Sequence, residues 1–151
     1  MNKYLPYDPG VLPSAPAPLA GESIEMKSDG YPPYKDIRFS IRNSRHKFHS
    51  RFIALRQAAI KAMAGRAPYR GAVRIDFVMH APDFESNKGL VNYLGGIMDT
   101  LDGSHGTHFT YLPIAYEDDC QVATGNSEIM IDQNTRYEVK VIFLNENRCD
   151  E

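Results

Sequence analysis

In this chain of 151 residues, the groups best suited to chemistry are carboxylates. The run Glu117-Asp118-Asp119-Cys120-Gln121-Val122 places three of them in succession, and hard anionic oxygens of this kind suit magnesium, which keeps several waters and needs only one or two protein carboxylates. Upstream, Asn92 and Asp99 are seven residues apart, so on a helix they share a face with Gly95, and Asp83 and Glu85 precede them. Carboxylates converging on one or two divalent ions can polarise a phosphate and activate water, while a lysine offsets developing charge. His105 and His108 supply two imidazoles where zinc wants three or four ligands, and they read as decoration of a glycine-bearing loop. The sequence holds no Ser-His-Asp arrangement, phosphate-cradling glycine loop or dinucleotide fingerprint.

These residues must be positioned by regular elements. Leu90, Val91, Leu94, Ile97, Met98 and Leu101 recur at a period near 3.6 and predict an amphipathic helix of about four turns. Ser86 or Asn87 is expected to cap its start, and Gly103 to end it in a left-handed conformation. Gly95-Gly96 in its middle costs helix propensity, about 1 kcal/mol each, so a close approach of backbone or ligand is expected there. A second amphipathic helix is predicted from Arg45 to Met63, with Phe48, Phe52, Leu55 and Ala59 inside and Lys47, Arg51 and Lys61 outside. Alternation predicts strands at 22–27, at 37–41 with Arg38 and Arg42 on the wet face, and at 73–79. Val122 begins a short strand, and Ser127–Asp132 with Arg136–Leu144 read as a hairpin about Gln133-Asn134-Thr135. The expected fold is α+β, a single domain of order β-β-α-β-α-β-β whose mixed sheet is packed by two main helices. Residues 1–21 carry five prolines and read as a flexible tail, 22–144 as the domain, and 145–151 as a frayed polar end.

With 42% hydrophobic residues the chain can bury a real core. No apolar run approaches the length of a membrane span, and the first twenty residues lack the apolar core of a secretory leader. Two cysteines, Cys120 and Cys149, cannot build a disulfide framework or a zinc ribbon, and they read as reduced thiols of a cytoplasmic protein. The net charge of −2 conceals segregation: residues 35–74 hold eleven Lys and Arg against one acid, whereas residues 75–151 hold four against fourteen. Such a basic segment points to a polyanion. Arg38, Arg42, Lys47 and Arg51 are the candidate phosphate contacts, which would position nucleic acid without reading its sequence. The plainer alternative is a solvated face neutralised by the acidic half of the same domain.

The pattern Asn92-x-x-Gly95-x-x-x-Asp99-x-Leu101 followed by Asp118-Asp119-x-Gln121-Val122 resembles the signature of RusA-type Holliday junction resolvases, over about residues 22–144. The resemblance implies a magnesium-dependent endonuclease acting as a homodimer on branched DNA, in recombination or repair. It implies Asp119 as a catalytic residue, Asp118 and Asp119 as metal ligands, and Asn92, Asp99 and Gln121 as framework. Where that family carries two helix aspartates and a lysine, this chain has Gly89, Val91 and Gly95, and the segment 102–116 is longer than the family's link. Cleavage is therefore expected to be weak or lost unless Asp83, Glu85 or Asp99 takes the vacant places. The alternative is a non-catalytic relative that binds DNA or another protein. Without the resemblance, Glu117, Asp118 and Asp119 would read as a solvated loop.

Overall fold

The computed structural model describes residues 13–34, 49–83, 89–103 and 113–145. Among them the order is β1 (Ser23–Asp29), α1 (His49–Met63), β2 (Val73–Ala81), α2 (Leu90–Asp102), a 3-10 turn (Asp119–Gln121), β3 (Val122–Thr124), β4 (Ser127–Ile131) and β5 (Arg136–Phe143). The fold is α+β, with five strands in one mixed sheet and two helices, as expected. The strand expected at 37–41 lies outside the described residues.

β2 organises the sheet. Val73, Ile75, Phe77, Met79 and Ala81 are buried while Arg74, Asp76, Val78 and His80 are half-buried, the alternation of a strand with one face against the core. β5 pairs with β2 on one side and with β1 beyond it, both antiparallel, and its own Tyr137, Val139, Val141 and Phe143 join the same buried face. β3 and β4 pair with β2 on the other side, both parallel. Helix α1 covers this face through Leu55, Ala59 and Met63, and α2 through Tyr93, Ile97 and Leu101.

The expected hairpin is therefore wrong. β4 and β5 flank β2 instead of pairing with each other, and Asp132–Thr135 passes over the end of β2, where the Asp132 N–H donates to the Ala81 carbonyl. A four-residue connection reaches across because two inter-strand steps span only about 10 Å. Alternation specifies which face a residue takes, not which strand lies beside it.

Several local expectations also shift. The helix N-cap is Gly89, whose N–H donates to Asn92 Oδ1 at 3.0 Å; Ser86 and Asn87 lie outside the described residues. Gly103 ends α2 in the left-handed region, φ 79°, as expected. Val91, counted in the apolar stripe, is 78% exposed, and Tyr93 is fully buried in its stead. From Pro13 on, the proline-rich stretch is not a loose tail: the Ser14 and Ala15 N–H groups both donate to the Gly65 carbonyl, and Pro18 is buried. Cys120 is disulfide-bonded and not a reduced thiol. β5 returns the chain to Asn145, whose carbonyl accepts from Tyr69, and Tyr69 is itself bonded to Gln121 beside Cys120. Cys149, the one other cysteine, is outside the described residues.

The close approach expected at Gly95-Gly96 occurs at Gly96. A Cβ there would overlap the carbonyl of Pro33 and the Cα of Tyr34, whose backbone crosses the helix. Gly96→Ala should therefore cost about 2 kcal/mol of stability in urea unfolding despite the better helix propensity of alanine, because backbone must move to admit the methyl.

Candidate metal centre

The acidic corner is positioned by the C-terminal end of α2. The last carbonyls of a helix lack intrahelical donors. Here the Ile114 and Ala115 N–H groups both donate to the Leu101 carbonyl, at 3.0 and 3.1 Å, and the Tyr116 hydroxyl donates to the Met98 carbonyl at 3.3 Å. These bonds dock residues 114–116 on the helix end. On the other flank the Tyr69 N–H donates to the Ala115 carbonyl, so the same segment is held against the approach to β2.

Gln121 then fastens the corner. It is 4% exposed and uses its whole amide: Nε2 donates to the Tyr69 and Gly71 carbonyls, both at 2.8 Å, and Oε1 accepts from the N–H groups of Glu117 at 2.8 Å and Asp118 at 3.0 Å. Gln121 thus ties the acidic corner to the approach to β2. Asn92 serves the other end of α2 through its bond to Gly89.

The result brings Asp119 to Asp99 and Asp102. One carboxylate oxygen from each lies within 4.8 Å of the others, and this cluster could hold a metal ion. Asp102 is 3% exposed, Asp99 and Asp119 are half-buried, and Asp119 Oδ1 is buried without a hydrogen-bond partner. The donors are all hard oxygens, as magnesium, manganese or calcium requires. Like charges this close repel by on the order of 3 kcal/mol per pair at an effective dielectric of about 20. The negative end of the α2 dipole adds to that repulsion, and the last turn carries no basic residue. A divalent cation among the three would offset both terms by its attraction to the carboxylates and to the helix end.

Tyr116 reports the field of the site. It is fully buried, and its hydroxyl is held well above its ordinary pKa, first by burial and then by the charges of Asp102, Asp119, Asp99 and Asp118. Tyr137 is likewise raised by burial. The sign is that of an acid ionising later in the folded state, so both phenols favour the fold below pH about 10, and that stability is lost as pH rises through their folded values. Of the nine tyrosines, these two should stay un-ionised in an absorbance titration until the protein unfolds in alkali.

The remaining candidates separate from this cluster. Asp118 is exposed; its carboxylate caps the 3-10 turn by accepting from the Cys120 N–H at 3.0 Å. Glu117 pairs with Arg70 at 2.9 Å on the surface. Asp83 is exposed and accepts from the Tyr31 hydroxyl, while Glu85, His105 and His108 lie outside the described residues. Gly89 and Val91 stand ten and eight residues before Asp99, about 15 and 12 Å along the helix axis. Asp102, the first residue of the long connection, is the member of the cluster that the sequence analysis does not name as a candidate. Its spacing of three from Asp99, which puts both on one helix face, was the available signal.

The basic segment is only partly in view. Arg38, Arg42 and Lys47 are outside the described residues. Arg51 lies over the rings of Tyr31 and Tyr34, 5.2 and 5.9 Å from their centroids, and Lys61 is exposed. Arg66, Arg70 and Arg74 pair with Glu22, Glu117 and Asp76, so part of the local excess is neutralised within the domain. Among the described residues, no helix is long and apolar enough to cross a membrane. No protein-family model matches the chain, and no curated protein matches it significantly.

Proposed function

We propose that this chain is a RusA-like DNA-binding protein that holds a divalent cation, magnesium or manganese, between Asp99, Asp102 and Asp119, and cleaves branched DNA slowly. The convergence of those three carboxylates from two separate segments carries the reading. The cation would polarise a phosphate oxygen and lower the pKa of bound water, while the three aspartates hold it and the buried Tyr116 hydroxyl closes the inner wall. Asp119 keeps the catalytic role that the resemblance gives it, Asp99 becomes a ligand, and Asp118 becomes a cap. Slow turnover follows from Gly95, which offers no charge to offset the developing negative phosphate.

DNA would meet the basic segment 35–74, through Arg38, Arg42, Lys47 and Arg51, and a homodimer would present two equivalent sites to a junction. A DNA partner implies action in the cytoplasm, where the Cys120 disulfide would be open to reduction. The test is binding and cleavage of a four-way junction with magnesium or manganese. Binding should weaken with salt at a log-log slope of about −0.9 per phosphate contact. Salt-independent binding would remove the nucleic-acid reading. Rapid cleavage that survives Asp119→Asn would remove this site from the chemistry.

A further inference from the structure

Among the described residues, β4 is an edge strand whose inner side is saturated and whose outer side is not. The Phe77 N–H donates to the Asn126 carbonyl and the Asp132 N–H to the Ala81 carbonyl, and the register Phe77↔Ser127 to Ala81↔Ile131 continues between them. Backbone groups of a strand alternate sides, so the even residues face β2 and the N–H and C=O groups of Ser127, Ile129 and Ile131 point outward. Among the described residues no other strand pairs with β4. The edge carries a single charged side chain, Glu128, against three on β1. It holds no lysine, proline or bulge between Ser127 and Ile131, and Met130 and Ile131 are 46% and 68% exposed. The opposite edge, β1, is guarded by Glu25, Lys27 and Asp29.

We infer that β4 pairs antiparallel with β4 of a second copy of this chain, about a two-fold axis at Ile129, making one continuous sheet through the dimer. A second copy meets this edge with the same run of outward groups. With the axis at Ile129, Ile129 faces its counterpart and Ser127 faces Ile131 of the second copy. All six outward groups on each strand are then satisfied in one register. Side chains follow: isoleucine meets isoleucine at the axis, and Glu128 lies opposite Met130 of the second copy and not opposite another glutamate. The register is bounded as well. Gly125 lies against the Ile75 carbonyl, and the break it makes between β3 and β4 keeps the free run to five residues. The homodimer shares its partner with the reading above, but the interface rests on β4 alone and is read without DNA or metal, so the two fail separately.

Sedimentation velocity of the full chain should give a species of twice 17.0 kDa. Ile131→Lys, at an exposed side chain, should raise the dissociation constant at least tenfold with an unchanged circular dichroism spectrum, and Ile131→Pro should do the same by removing one outward N–H. Ile129→Cys should cross-link chains under mild oxidation, since hydrogen-bonded partners sit about 5.5 Å apart at Cα. Met130→Cys should not exceed the wild-type background, because the two copies of residue 130 are offset diagonally, about 7–8 Å or more. A monomeric wild type at tens of micromolar, a dimer indifferent to Ile131→Lys, or cross-linking at 130 in place of 129 would each overturn the interface.

Discussion

Replacing Asp119 by asparagine should reverse its effect on stability according to whether a divalent cation is present. In chelator the variant should melt at or above wild type, because one of three mutually repelling carboxylates is gone and Asp119 Oδ1 has no hydrogen bond to lose. With magnesium or manganese at about 100 times its dissociation constant, wild type should gain about 2.7 kcal/mol by linkage, or about 5–10 °C in a domain of this size. The variant should keep little of that gain and bind the cation at least tenfold more weakly. Asp118→Asn is the control: asparagine caps a turn as well as aspartate does, and Asp118 is not in the cluster, so its cation response should match wild type. Thermal melts with and without cation check the sign, and isothermal titration checks the affinity. Equal melting shifts in wild type and Asp119→Asn would exclude the three-aspartate centre.

Gln121→Leu should be the most damaging conservative change near the site. It removes four hydrogen bonds at once and leaves the Tyr69 and Gly71 carbonyls and the Glu117 and Asp118 N–H groups to find partners around a buried apolar side chain. An unsatisfied buried group costs about 1–3 kcal/mol, and partial access of water to the exposed corner lowers the sum, so a loss of about 3–5 kcal/mol is expected. That is a large fraction of a typical domain's stability. Cation affinity should fall in the variant too, since the peptide groups that place Asp119 are no longer tied to the start of β2. Urea unfolding and manganese titration measure the two effects. A stability loss below 1 kcal/mol would mean that the docking of residues 114–116 on α2 suffices to hold the corner.

Much of the domain could be read from the chain because local physics decides it. The alternation of Val73 to Ala81 requires a half-buried strand, Gly103 permits the left-handed residue that ends α2, and the paired glycines announce the crossing at Gly96. The acidic corner was visible as a candidate, and so were Asp99, Asn92 and Gln121, although the work each does was not. Val91 shows the limit of periodicity: a stripe one residue too wide places an exposed side chain in the core, because the pattern cannot say where the neighbouring element ends.

The amino-acid sequence by itself determined the class of fold, the two helices and four of the five strand positions in the described residues to within a few residues, with β3 legible only as a beginning at Val122. These follow from the periods of burial and from turn chemistry, which act over a few residues. Tertiary structure alone decided that β4 and β5 flank β2, that Cys120 is disulfide-bonded, and that Asp102 joins Asp99 and Asp119 while Asp118 turns away. Each of these depends on groups distant in the chain finding one another. The Leu101 carbonyl receives residues 114 and 115, and the Gln121 amide reaches back some fifty residues to Tyr69 and Gly71. Such bonds leave no periodic trace, because the partner of an unsatisfied carbonyl is chosen by the packing of the whole domain and not by its neighbours in sequence.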